Sequence, residues 1–146
     1  MFDHFRKIFA APSAPAPDAE AAAREAAAAI LIEAGRSDDC YDAAERAVVL
    51  TALGRMYDLG PAEAEALEAA GAAALDGALD QHRFTKALKD ETTVKERADF
   101  LTEVWRVVLA DGRRDPHEDA FMRKLAGLLS VPDRESGLAR RRAEQG

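Results

Sequence analysis

The chain has 146 residues, a formal net charge of -7 and an aromatic content of only 6 %. A chain of this length forms one domain around one core. Alanine is abundant and β-branched and aromatic residues are sparse, a composition that favours helix over strand along nearly the whole chain.

The charge is unevenly distributed, which bears on the class of ligand. Residues Asp18–Asp80 include 14 acidic and 4 basic residues, whereas Gln81–Gly146 include 12 acidic and 14 basic residues. A protein that binds a phosphate backbone clusters lysine and arginine on one face, and such an acidic half argues against that. We therefore expect no nucleic-acid partner.

Membrane insertion and disulfide bonding are not indicated by the sequence. Cys40 is the only cysteine, so no internal disulfide can form, and we interpret it as an incidental thiol. No apolar stretch approaches the roughly 18 to 20 residues of a membrane span, and the N-terminus lacks the apolar core of a secretory signal. We expect a cytoplasmic protein with no transmembrane segment.

An amphipathic arm and a linker precede the domain. Within the N-terminal arm, residues 1–9, the apolar residues Phe2, Phe5, Ile8 and Phe9 share one helical face. The arm is expected to dock on the domain core, a partner or a membrane surface. Residues 10–17 form an Ala/Pro linker, because proline holds an extended backbone. The domain is assigned to residues 18–146.

The helices of the first half are marked by their termini. A long alanine-rich helix is expected to begin at Asp18 as N-cap. Asp42 and Glu45 have the spacing of a capping box, in which each side chain accepts a hydrogen bond from the other residue's amide. They open a second helix, which ends at Asp58–Gly60. Pro61 suits the first position of a third helix.

Four further helices are expected in the second half. Residues Arg83–Lys89 form a short amphipathic segment, and a capping box at Thr93–Glu96 opens the most strongly patterned helix. Trp105 belongs to the apolar face of that helix and is assigned to the core. A third capping box at Asp115–Glu118, with proline at the first helical position, opens the next helix. Val131–Pro132 separates it from the last.

The sequence repeats itself at an offset of 73 residues. This offset aligns three acidic residues in each copy: Asp38, Asp42 and Glu45 with Asp111, Asp115 and Glu118. A one-residue shift then brings Leu59 opposite Val131. Each copy is a helix, an acidic turn, a capped helix and another turn, and neither copy can cover its own apolar stripe. We therefore predict a single compact all-α bundle of about seven helices with an internal two-fold repeat.

Two segments, Ser37–Arg46 and Ala110–Glu118, carry a family resemblance. They resemble the repeated turns of pattern A-D-G-x-x-D-P-x-E in tellurite-resistance TerB-like domains, and the likeness extends over roughly Asp18–Arg142. The second copy matches this pattern well. The first copy departs from it, with Asp39 where glycine is expected and Ala43 where proline is common.

The resemblance implies a bacterial all-helical domain linked to tellurite and other stress resistance. It also implies binding of metal cations or assembly with membrane-associated partners, and no established catalytic reaction. Related domains occur in membrane-tethered DnaJ-like co-chaperones, which implies a docking role as well. We thus expect an accessory protein, in the cytoplasm or peripheral to the inner membrane, that binds a protein partner, a divalent cation or both.

The carboxylates of the acidic turns allow two interpretations. Hard divalent cations bind several oxygen ligands, and the candidate ligands are Asp38, Asp42, Glu45, Asp111, Asp115 and Glu118. Alternatively, helix capping accounts for the Asp–Glu pair that opens each following helix, and neither turn has EF-hand spacing. Asp38 and Asp111 are least explained by capping, so the cation interpretation depends mainly on them.

Catalytic motifs are missing from the sequence. It has no glycine-rich phosphate loop, nucleophile elbow or paired-cysteine metal motif, and His4, His82 and His117 are not spaced as zinc ligands. We therefore expect no enzyme. The alternatives are a structural adaptor that binds no metal and, less favoured, a cation-dependent enzyme whose cavity gathers carboxylates with His82 or His117.

Overall fold

The computed structural model describes residues 17–36, 41–77, 81–110 and 116–145. These residues form seven helices and no strand, which confirms the all-α prediction. The helices are α1 (Pro17–Gly35), α2 (Ala43–Tyr57), α3 (Pro61–Gly77), α4 (Gln81–Asp90), α5 (Val94–Leu109), α6 (Pro116–Leu128) and α7 (Asp133–Gln145). Across these ranges, no helix is both long and apolar enough to cross a membrane.

Two helices of the structure begin at capping boxes that the sequence predicts. In the box that opens α2, the amide of Glu45 donates to Asp42 Oδ1 at 2.8 Å and the amide of Asp42 donates to Glu45 Oε1 at 2.9 Å. The Thr93–Glu96 box opens α5 in the same way. The prediction for α1 was wrong, since the helix begins at Pro17 and Asp18 lies in its first turn. Asp115 lies outside the described residues, so the capping box at Asp115–Glu118 stays a prediction.

The two-fold repeat is confirmed by matching backbone geometry in the two copies. Two non-glycine residues have a positive φ: Asp58 at 56° and Ser130 at 55°, which are 72 positions apart. Each ends the second helix of its copy. The amide of the next residue closes the turn on a carbonyl five residues back, from Leu59 to Gly54 at 3.1 Å and from Val131 to Ala126 at 2.9 Å.

Each copy contains three helices, one more than the sequence repeat suggested. Helices α2 and α6 begin 73 residues apart, and α3 and α7 begin 72 residues apart. In both copies the first and third helices pack closely, α1 on α3 and α5 on α7, while α1 and α5 join the halves. Helix α4 lies between the copies in sequence. The fold therefore consists of two three-helix copies and α4. A pseudo-two-fold axis relates the first copy, α1 to α3, to the second copy, α5 to α7.

Long side chains make equivalent contacts in the two copies. The guanidinium of Arg24 in α1 lies 4.9 Å from the ring centre of Tyr57, at the end of α2. In the second copy, Arg97 Nε donates to the carbonyl of Leu129, just beyond α6, at 2.7 Å. Arg97 is buried, and this desolvation lowers its pKa. In each half, an arginine of the first helix therefore holds the end of the second.

Helix α5 is buried on nearly every side, whereas the sequence indicated only an apolar stripe. The stripe itself is confirmed as core, with Trp105 covered by the guanidinium of Arg140 at 4.8 Å. Its polar side is also enclosed. Glu103 is fully buried and accepts from Arg55 Nη2 at 2.7 Å and from Arg106 Nη1. A buried carboxylate requires such paired donors, because an uncompensated charge is costly there.

Candidate functional site

A cleft of about 100 Å³ opens where the C-terminal ends of α1 and α5 meet the N-terminal ends of α2 and α6. These are equivalent elements of the two copies, so the cleft lies at the junction of the repeat. Its walls include Gly35, Val48, Val107 and Val108. The acidic turns identified from the sequence connect these helix ends along the chain, the first between α1 and α2 and the second between α5 and α6.

One carboxylate from each copy lines this cleft. Glu45 and Glu118 are 73 residues apart, and both lie in the first turn of their helices. Carboxylates at this position interact favourably with the helix dipole. Glu45 is also held by its capping hydrogen bond to the amide of Asp42. One candidate residue from each copy, Glu45 and Glu118, is thus placed at the same cleft, although the sequence presents the two copies as separate candidate sites.

Tyr41, just before α2, is anchored to α3 by a buried carboxylate. Glu68 accepts a hydrogen bond from the Tyr41 hydroxyl at 3.1 Å, and its other oxygen lies 3.3 Å from Arg46 Nε. Burial raises the pKa of Tyr41, and the neighbouring Glu68 carboxylate adds to the increase. The tyrosine therefore stays neutral at physiological pH and remains a donor. This hydrogen bond ties the residues just before α2 to the third helix of the same copy.

Comparison with known families identifies the chain. The family model described as tellurite resistance protein TerB matches residues 24–141. The chain belongs to the TerB family. The matched region begins within α1 and ends within α7, so it includes both turns and the cleft of this TerB domain. No curated protein and no solved structure matches the chain.

The TerB domain brings together only some of the predicted site residues. Asp42 and Glu45 are placed at the start of α2, and Glu118 is placed across the cleft. The remaining candidates, Asp38, Asp111 and Asp115, lie outside the described residues, as does Cys40. In the part of the chain that the structure describes, no three His, Cys, Asp or Glu side chains are close enough to hold a metal ion. The full set of six stays a prediction.

Two charged residues that are important in this TerB domain were not identified from the sequence. Glu68 and Glu103 are buried and organise contacts between helices, yet they were not singled out. A signal existed for Glu68, since it falls in register with Ala64, Gly71 and Leu75 on the buried face of α3. A carboxylate in an apolar stripe indicates a buried partner. The partner itself, Tyr41, lies 27 residues away and is not indicated by local pattern.

Two histidines, His82 and His117, lie within the described residues. His82 and His117 are both exposed, and of the described residues that line the cleft none is a histidine. The enzyme alternative required a cavity that gathers carboxylates with one of these side chains. The arrangement of the described residues offers no support for that alternative.

Proposed function

We propose that this TerB domain acts by binding rather than catalysis, and that its ligand is a divalent cation held between the two acidic turns. The observation that supports this proposal is that Glu45 and Glu118, from different copies, line one cleft. A hard cation is bound most readily by oxygen ligands from several segments. Asp38, Asp111 and Asp115 would supply further carboxylates from the same turns.

Capping and cation binding are compatible roles for these carboxylates. A carboxylate has two oxygens, and the capping box engages Oδ1 of Asp42 and Oε1 of Glu45. The hydrogen bonds from the backbone amides hold these side chains in place, which reduces the conformational entropy lost when a ligand binds. The positive ends of two helix dipoles oppose a cation here, so carboxylates of both turns are needed to reverse the local potential. We infer a weak site, with a Kd of roughly 0.1 to 1 mM.

In the cell, such a site would make the domain a cation-responsive accessory of stress resistance. Cation binding would neutralise repulsion between the turns and hold the two halves of the bundle together. The carboxylates around the cleft would then present a different charge and shape to a protein partner. This role agrees with the family's association with tellurite resistance and requires no bond to be made or broken.

Calorimetric titration with calcium, magnesium, manganese and zinc tests the cation proposal. Glu45→Gln is the sharpest variant, because glutamine still completes a capping box while the charge is lost. Glu118→Gln removes the equivalent charge of the second copy. The matched control is Glu63→Gln in α3, where Glu63 accepts from the amide of Gly60 at 3.3 Å but lies away from the cleft.

Each cleft variant is expected to weaken binding by about tenfold, which corresponds to about 1.4 kcal/mol, while Glu63→Gln binds like wild type. An equal loss in all three variants would indicate a general effect of net charge instead. Absence of heat and of any thermal shift with all four cations would refute the proposal.

A second candidate function is docking of a protein partner without metal, and the apolar walls of the cleft favour it. The side chains of Ala34, Val48 and Val107 have no ligand atoms for a cation but suit an apolar side chain of a partner. Val48→Lys should then abolish capture of a partner in a pull-down, and Thr51→Lys, an exposed position of the same helix, should not. Equal capture by both variants would exclude the cleft as the docking site.

A further inference from the structure

Helix α4 occupies a defined place relative to the repeat. It packs against α1 of the first copy and α6 of the second, and it directly precedes α5. Phe84 and Leu88, four residues apart, are its large buried apolar side chains. At its start, Gln81 Nε2 lies 3.5 Å from Glu33 Oε1 of α1. The sector of α1 that includes Glu33 is therefore the surface that α4 covers.

The pseudo-two-fold axis maps this covered sector onto an equivalent sector of α5. Adding 73 to Glu33 gives Arg106, and the same helical face of α5 includes Asp99 and Thr102. This sector lies between the side that meets α7 through Trp105 and the side that meets α2 through Glu103. No counterpart of α4 is found on it among the helices with described residues.

The chemistry of this α5 sector is that of a covered surface. Asp99 is 3 % exposed and Thr102 is fully buried, although both are polar. The ion pair of Asp99 is formed with Lys95 Nζ at 3.5 Å, and that lysine is itself largely exposed. An enclosed carboxylate with one long, solvated partner is short of compensating charge. A basic, amphipathic segment would supply both cover and charge.

The N-terminal arm has the sequence pattern of α4. Phe5-Arg6-Lys7-Ile8-Phe9 parallels Phe84-Thr85-Lys86-Ala87-Leu88: large apolar residues stand at the first and fifth positions and lysine at the third. Each segment also directly precedes the first helix of its copy, the arm before α1 and α4 before α5. The arm thus stands in the repeat where a counterpart of α4 belongs.

We propose that the N-terminal arm, residues 1–9, docks on the α5 sector of Asp99, Thr102 and Arg106 as the pseudo-symmetric counterpart of α4. Phe5 and Phe9 then take the places relative to α5 that Phe84 and Leu88 take relative to α1. The basic residues Arg6 and Lys7 bring positive charge towards Asp99.

Chain length permits this placement. Seven residues, 10–16, connect the arm to α1, whereas three, 91–93, connect α4 to α5. Helix α1 begins about one turn earlier than its equivalent, which moves the start of the connection by roughly 6 Å. Four additional residues extend the reach by up to about 13 Å. Residues 10–16 are therefore long enough for the arm to reach this sector of α5.

Paramagnetic relaxation in the full-length chain tests where the arm lies. A nitroxide is attached at Lys7→Cys in a Cys40→Ser background, since Lys7 parallels Lys86, which is exposed in α4. The strongest broadening is expected at the amides of Lys95, Asp99 and Thr102. Strongest broadening on α3, or weak broadening everywhere, would overturn the proposal. A control mixes nitroxide-labelled chains at natural isotope abundance with isotope-labelled chains that carry no nitroxide, and it tests for docking on a second copy. Broadening only in that mixture would equally overturn the proposal.

A pair of arm variants provides a second, independent measurement. Phe5→Ser combined with Phe9→Ser removes the apolar contacts, and Phe5→Leu combined with Phe9→Leu keeps them. Hydrogen exchange along α5 is expected to accelerate at least about fivefold in the serine pair and to stay near wild type in the leucine pair. Unchanged exchange in the serine pair would contradict the docking. Neither experiment involves a cation, so its outcome is separate from that of the cleft.

Discussion

The close approach of α1 and α3 makes a specific demand at Gly71. A Cβ atom at this position would lie 2.6 Å from Ala28 Cβ and 2.9 Å from the backbone nitrogen of Ala29. Comfortable carbon–carbon contacts are about 3.5 to 4.0 Å, so Gly71→Ala must separate the helices by about 1 Å. The obstacle includes backbone, which cannot rotate away as a long side chain does.

The expected cost of Gly71→Ala is set by two opposing effects. Overpacking a tight interface costs about 1 to 3 kcal/mol, and alanine recovers about 1 kcal/mol of helix propensity. Because backbone is involved, we place the overpacking at the upper end, for a net loss of about 2 kcal/mol. In a chain of this size the melting temperature would fall by about 4 to 8 °C.

Thermal and urea unfolding followed by circular dichroism measure this change. The matched controls are Gly127→Ala in α6 and Gly137→Ala in α7, where a new Cβ meets nothing within 4 Å. Both are expected to stabilise the protein by about 0.5 to 1 kcal/mol. If Gly71→Ala stabilised the protein as the controls do, α1 and α3 would not be packed as closely as described, and the reasoning would fail.

Three further predictions concern polar groups that are fully or partly buried. Burial raises the pKa of both Tyr41 and Tyr57, so alkali favours the unfolded chain. As the pH is raised, tyrosinate absorbance should stay flat past about pH 10 and increase only as helix is lost, and tyrosine ionisation in the intact fold would contradict this. Glu103→Leu should lower the free energy of unfolding by about 2 to 4 kcal/mol in urea, because it leaves two arginines without their carboxylate, and a loss below about 0.5 kcal/mol would count against the buried ion pair. Burial raises the pKa of Glu33, although the nearby charge of Arg36 lowers it, so ionisation of Glu33 opposes folding as the pH increases. Glu33→Gln should therefore raise the urea midpoint of unfolding at neutral pH and lose this advantage below about pH 4. An unchanged or lower midpoint at neutral pH would refute this prediction.

Local chemistry made much of the fold predictable. The box at Asp42 and Glu45 and the prolines at positions 61 and 116 place three helix starts within a residue of those observed. These signals are legible because the partners lie within one turn of each other in sequence. The 73-residue repeat similarly depends on side-chain identity alone, and its one-residue shift reappears as the 72-residue spacing of Asp58 and Ser130.

Long-range pairing made the remainder unpredictable. Arg55 and Glu103 are 48 residues apart, and nothing in either helix alone indicates that they form an ion pair. The sequence pattern of α5 separates apolar from polar residues, yet both sides are buried because other segments enclose them. Likewise, the candidate residues Glu45 and Glu118 were identified one turn at a time, and their shared cleft follows only from the packing of the two copies.

Manganese relaxation mapping of the full-length chain tests most directly whether the acidic turns form one cation site. As manganese is added, amide signals near Glu45 and near Glu118 are expected to broaden together at the same concentrations, with calcium reversing both effects. Broadening at only one turn, at unrelated carboxylates, or at neither turn would contradict the single site on which the proposed function depends.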